Sequence, residues 1–195
     1  SAYQEAAATL QPIRAEVAFS SHGSLDPARQ SIRSLYFELA DLLLQRAALM
    51  TEDSEAGLYL KAARDAIEAY KAAELRDYFR DDCVDQMQAR VTKLDAVSPE
   101  TAIIYPIIFS DRTELLVSFP DGLRRHSVPV TAAALTAEIR SFRRMLEKRT
   151  TREYLPHAQQ LYDWLLRPLL EDLRKLKVNT LVFVPDGPLR TIPMS

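Results

Sequence analysis

The chain has 195 residues, 47% of them hydrophobic and 27% charged, with a formal net charge of −2. That mix supports one sizeable core or two small ones and argues against wholesale disorder. It supplies no global attraction for nucleic acid or an anionic membrane. The single cysteine, Cys83, excludes an internal disulfide framework and fits a reducing, cytoplasmic setting. No apolar run approaches the length of a membrane span, and no basic-then-apolar leader opens the sequence.

The first half predicts helices. Residues 3–19 form a candidate helix, interrupted near Pro12, and residues 20–26 a polar loop. Asp26 is placed to cap a second helix, with Pro27 in its first turn, where a missing N–H costs nothing. Ile32, Leu35, Tyr36, Leu39, Leu42, Leu43 and Ala47 give it an apolar stripe. After a break at 51–54, a third helix starts near Glu55. Leu58, Ala62, Ala66, Ala69, Tyr70 and Ala73 offer a small-residue face for close approach. It continues toward Leu94 with a kink expected near Arg80–Cys83. The stretch 63–73, Ala-Arg-Asp-Ala-Ile-Glu-Ala-Tyr-Lys-Ala-Ala, resembles the second helix of a tetratricopeptide repeat. No second clean copy is present, so a plain pair of antiparallel helices is the alternative.

The composition changes near Ser98–Pro99, where β-branched and aromatic runs begin, and the domain boundary is set there: 1–97 helical, 98–195 mixed. Residues 102–109 predict a first strand and 114–119 a second. Asp121-Gly122 is taken as the two residues of a hairpin turn, leading to a third strand over 123–130. That turn places Val117 opposite His126, Leu115 opposite Val128 and Phe119 opposite Arg124. Thr131 is positioned to cap a helix whose stripe is Leu135, Ile139, Phe142 and Leu146. A last helix starts near Pro156, with Leu161, Trp164, Leu165, Leu169, Leu173 and Leu176 inward and a bend at Pro168. Thr180–Val184 then predicts a buried parallel strand, which needs neighbours on both sides. The fold class is α+β.

Candidate chemistry is sparse. Cys83 is the one possible thiol nucleophile. His22, His126 and His157, the candidate bases, fall in a loop, on a hairpin and at a helix start, and a mid-helix cysteine is more often a small buried hydrophobe. Asp81, Asp82 and Asp85 cluster, but neighbours on a helix point apart and no ligand spacing appears. Gly122 and Gly187 stand alone, without a phosphate-binding fingerprint, and Asp186-Gly187-Pro188 is a turn by its chemistry. Arg124, Arg125, Arg140, Arg143, Arg144, Lys148, Arg149 and Arg152 concentrate positive charge with few aromatics to stack bases. A solvated helix face is the default reading there and nucleic-acid binding the lesser one.

Several stretches, taken in order, carry a family resemblance: Leu75-Arg-Asp-Tyr-Phe-Arg-Asp-Asp-Cys83, Ala102-Ile-Ile-Tyr-Pro-Ile-Ile-Phe109, Glu114-Leu-Leu-Val-Ser-Phe-Pro120, Tyr154-Leu-Pro-His-Ala-Gln-Gln-Leu-Tyr-Asp-Trp-Leu-Leu-Arg-Pro-Leu169 and Thr180-Leu-Val-Phe-Val-Pro-Asp-Gly-Pro-Leu-Arg-Thr-Ile-Pro-Met194. Together they resemble the CHAT family, caspase-like cysteine peptidase domains found behind tetratricopeptide repeats. The resemblance implies a bacterial, cytoplasmic protein whose opening hairpin, long helix and first core strand lie here. In that family the catalytic histidine and cysteine fall in later motifs, an Ala-Thr-His-Gly-like stretch and a Ser-Ala-Cys-Glu-Thr-like stretch. Neither occurs in this sequence, so no catalytic, cofactor or metal residue is assigned. The expectation is a non-catalytic front portion of such a peptidase, with a protein or peptide partner on its helices and a catalytic portion to follow. A self-sufficient interaction or scaffold module is the alternative.

Overall fold

A computed structural model describes residues 27–79, 100–148 and 152–193. The chain divides into two compact units, Ser1–Thr92 and Lys93–Ser195. The expected helix over 3–19, the cap at Asp26 and the kink and continuation beyond Phe79 lie outside the described residues.

In the first unit, α1 (Pro27–Ala48) and α2 (Asp53–Phe79) form a helical hairpin. Tyr36 and Phe37 meet Tyr70 at ring-centroid distances of 6.2 and 5.7 Å, the second edge-on. These residues lie well away from the connecting turn on both helices, so the helices run antiparallel. The seam is Tyr36, Phe37, Ala40, Leu44 and Ala47 against Leu60, Ala63, Ile67, Tyr70 and Ala73. It departs from the expected stripes. Leu42 is 45% exposed and Leu58 70% exposed, and Leu44 and Ile67 take inward positions. Ala40 and Ala63, both fully buried, let the backbones approach, and the aromatic contacts fix the rotation of each helix about its axis.

The second unit is built on β1 (Thr101–Ile108), β2 (Thr113–Phe119), β3 (Gly122–Val128) and β4 (Thr180–Phe183), in the order β3-β2-β1-β4. The first three form an antiparallel meander, and β4 joins β1 in parallel. The result is a mixed sheet in an α+β fold. Every residue of β1 and β2 is buried, so both faces of the central strands are covered. On one face Ala102, Ile104, Ile108, Leu115, Val117 and Phe119 join residues of the helices in the core.

The β2–β3 register differs from the expected one by two residues. Phe119 faces Gly122, Val117 faces Arg124, Leu115 faces His126 and Thr113 faces Val128. The turn residues are therefore Pro120 and Asp121. Proline's fixed φ suits the first corner of a turn, and glycine is favoured after the second. Gly122 does adopt φ +142°, a conformation that favours glycine.

Thr131 caps α3 (Ala132–Glu147), its hydroxyl accepting from the Ala134 N–H at 3.1 Å. Leu135, Ile139 and Phe142 form the buried stripe as expected, with Leu146 partly buried beside it. Thr131→Ala is expected to lower stability by about 1 kcal/mol, read as a shift in denaturation midpoint at constant slope.

Next comes α4 (Leu155–Leu165). At Pro168 the helix tightens into a 3₁₀ turn (Arg167–Leu169) before the short α5 (Leu170–Lys175). Leu161, Leu165 and Leu169 are buried, while Trp164, Leu173 and Leu176 are partly so. At the end of α5 the Val178 N–H donates to Leu173 O and the Lys177 N–H to Arg174 O. This Schellman closure usually holds glycine, yet here Lys177 takes φ +53°.

The Glu100 carbonyl fixes the start of β4, accepting from the N–H groups of Asn179 and Thr180, while the Glu100 carboxylate accepts from the Asn179 amide. Pairing with β1 runs only from Thr101 to Ile104. The Val184 N–H donates to Ile104 O, so alternate residues of β1 point their polar groups toward β4. The next in that series is Pro106, which has no N–H to offer, and the ladder ends there. The expected burial of this strand is not observed: Thr180 and Leu181 are exposed and Val182 and Phe183 half-buried. β4 lies at the end of the sheet, with β1 as its one partner among the described residues. No helix among the described residues is long and apolar enough to cross a membrane.

Candidate functional site

Three constellations in the second unit carry polar chemistry. The first follows β4, at the carboxyl end of the parallel β1–β4 pair, where open α/β sheets place their sites. Val184 and Pro185 lead into a 3₁₀ turn, Gly187–Thr191, with Gly187 at φ +50°. Asp186 is buried, its carboxylate accepting from Arg190 Nη2 at 3.2 Å and its carbonyl from the Leu189 N–H at 3.1 Å. The Thr191 hydroxyl donates to Pro188 O at 2.7 Å. Leu189 and Ile192 plug the loop into the core. This is a braced turn whose acid is engaged by an arginine of the same turn.

The second lies on the sheet face opposite the helices. Glu114 is fully buried. Its carboxylate accepts from Arg112 Nε at 2.7 Å, from Arg125 Nε and Nη2 at 2.8 and 2.9 Å, and from the Ser127 hydroxyl at 3.2 Å. Arg112 also donates to Asp111 and stacks on Phe109 at 4.9 Å. Among the described residues this network joins two guanidiniums to two carboxylates.

The third comprises the described histidines. His126 Nε2 lies 3.2 Å from Asp172 Oδ2, joining β3 to α5, and Arg124 Nε lies 3.6 Å from Asp172 Oδ1. His157 Nδ1 lies 2.6 Å from Glu138 Oε1, joining α4 to α3. Each imidazole meets a carboxylate from a different element. Neither meets a serine, threonine or cysteine among the described residues, so each pair acts as a tether between elements. His22, Cys83, Asp81, Asp82 and Asp85 lie outside the described residues. Those residues hold no group of three or more metal-ligating side chains.

The basic stretch is divided rather than gathered. Arg124 and Arg125 point to opposite faces of β3, the first toward Asp121 and Asp172, the second toward Glu114. Arg143 pairs with Glu147 and Lys148 with Glu153, while Arg140, Arg144 and Arg152 are exposed. Arg149 lies outside the described residues.

Sequence reasoning missed the Glu114 network and both histidine–carboxylate pairs. An ionisable residue in the apolar run 113–119 was a signal. With the register set two residues off, however, Glu114 fell opposite Pro129 instead of its actual neighbour Ser127.

Comparison with known proteins adds one finding. The family model of the CHAT domain matches residues 155–195, a short partial match at the C-terminal end that spans α4, α5, β4 and the braced turn. No curated protein and no solved structure matches the chain.

Proposed function

We propose that this chain is the leading, non-catalytic portion of a CHAT-type, caspase-like cysteine peptidase, with a repeat-like helical unit that offers a protein or peptide partner a docking surface. The observation that carries the reading is where the CHAT match falls: among the described residues its one strand is β4, and β4 ends the sheet. The two sheet edges differ in kind. β3 bears Arg124 and Arg125, charges of the sort that discourage strand addition. β4 reads Thr-Leu-Val-Phe, with no charge and Leu181 38% exposed. An apolar edge beside a guarded one favours extension of the sheet past β4, where the catalytic part of the domain would sit. Exposed Leu42, Leu49 and Leu58 on the helical hairpin favour a partner there. A cytoplasmic setting goes with this reading.

The test is to express the chain with whatever reading frame follows Ser195. The extended product is expected to cleave peptide substrates and to lose activity when a cysteine in the added part is changed to alanine, whereas the present chain is inert. A following frame without a histidine motif and then a cysteine motif would remove the peptidase assignment. The second reading, a self-sufficient interaction module, is favoured by the closed core between sheet and helices. It predicts a monodisperse chain that melts cooperatively and does not bind apolar dyes.

A further inference from the structure

We infer that residues 170–183, α5 and β4 together, form a detachable strap held by a polar latch at Asp172. The strap runs between two fixed points. Leu169, fully buried, precedes it, and Leu189 and Ile192 anchor the chain after it. Between them the hold is slight. No side chain of 170–183 is fully buried; Leu173, Leu176, Val178 and Phe183 lean on the core, each only partly covered. Among the described residues β4 pairs along one side, over four residues.

Glu100 holds the start of β4 through the Asn179 and Thr180 N–H groups, and α5 is tied to β3 at Asp172. Its carboxylate lies between His126 Nε2 at 3.2 Å and Arg124 Nε at 3.6 Å, both on β3. These contacts are close but poorly aligned: His126 Nε2 and Arg124 Nη1 are sealed from solvent with no hydrogen-bond partner. Arg124 is shared besides, donating to Asp121 Oδ2 at 2.7 Å and lying 4.9 Å over the Phe119 ring. The docked state therefore gains the attraction of opposite charges while leaving two nitrogens unsatisfied, which water would satisfy on release. The left-handed Lys177 at the α5–β4 joint adds backbone strain to the docked side. Opposing terms of this kind set a shallow balance, and an element with few buried contacts is the one that opens first. Undocking withdraws β4 from the sheet edge while β1, β2 and β3 keep their antiparallel ladders. The strap thus governs whether that edge is presented at all. The device belongs to this unit and operates while β4 is the last strand of its sheet.

Hydrogen–deuterium exchange of the full chain, resolved by peptide, tests it. In Asp172→Asn and in Arg124→Gln, amides within 170–183 are expected to exchange about tenfold faster, with β1 and β2 amides unchanged. Asp172→Glu is expected to restore most of the protection, and the double variant to exchange no faster than the faster single one, because both changes break one contact. Acceleration spread evenly over the sheet, no acceleration in the strap, or loss of the fold in Asp172→Asn while Arg124→Gln keeps the strap protected would each overturn the latch.

Discussion

Glu114→Ala is expected to be the most damaging charge deletion in the second unit, lowering its stability by about 3 kcal/mol. Glu114 is fully buried, and its carboxylate is the common acceptor for Arg112, Arg125 and Ser127. Removing it leaves two guanidiniums facing each other across the β2–β3 ladder with no anion between them. Their side chains are 19% and 21% exposed, so each can turn partly toward water, which keeps the cost at the low end for a broken buried pair. Arg112 keeps Asp111. Small domains hold only about 5–15 kcal/mol in total, so a loss of this size is readily measured. Trp164, the one tryptophan, packs partly buried against the second unit's core and reports that unit's unfolding. The expected result is a lower urea midpoint at unchanged slope. Replacing the whole network, Glu114→Leu with Arg112→Met and Arg125→Met, is expected to recover most of the loss, because a buried charge network and a well-packed apolar one are often close in free energy. A Glu114→Ala variant within about 1 kcal/mol of the parent would show that water screens these charges.

What the sequence disclosed and what it hid divide along the range of the interactions involved. The Thr131 cap was legible because hydroxyl and acceptor-seeking N–H lie within three residues. The stripe of Leu135, Ile139 and Phe142 and the break at Pro168 are equally local. The hairpin register was not, since Pro120-Asp121 and Asp121-Gly122 are both plausible turn pairs. The two registers differ by two residues, which leaves every side chain on the same face, so the hydrophobic pattern cannot separate them. Alanine-rich α1 and α2 hid their seam for a related reason: with apolar residues on several sides, Leu42 and Leu58 looked as suited to burial as Leu44 and Ile67. The tethers of His126 to Asp172 and His157 to Glu138 join elements that come together only in the folded sheet-and-helix layer, and no local spacing announces them. The CHAT match reaches the segment whose turn is built by near neighbours.

Leu189→Ala is expected to cost about 2–4 kcal/mol and to loosen the turn that follows β4. Leu189 is fully buried although it sits in a five-residue 3₁₀ turn whose Gly187, Arg190 and Thr191 are exposed. The turn's own bonds, Arg190 to Asp186 and Thr191 to Pro188, shape it without fixing it to the sheet. That attachment falls to Leu189, with Ile192 beside it in the core. Truncation removes three carbon atoms from a packed interior, and part of the cavity persists because the flanking strand and α3 cannot both move inward. Leu181→Ala, on the outer edge strand, removes the same atoms from a side chain already more than a third exposed and is expected to cost under about 1 kcal/mol. Comparing the two separates anchoring from apolar content. Urea midpoints by Trp164 fluorescence should fall far more for Leu189→Ala, and limited proteolysis should gain a cut between residues 184 and 193 in that variant alone. If the two variants lose equal stability, the loop is held by β4 itself, and the buried leucine is not what fixes the carboxyl end of the parallel pair.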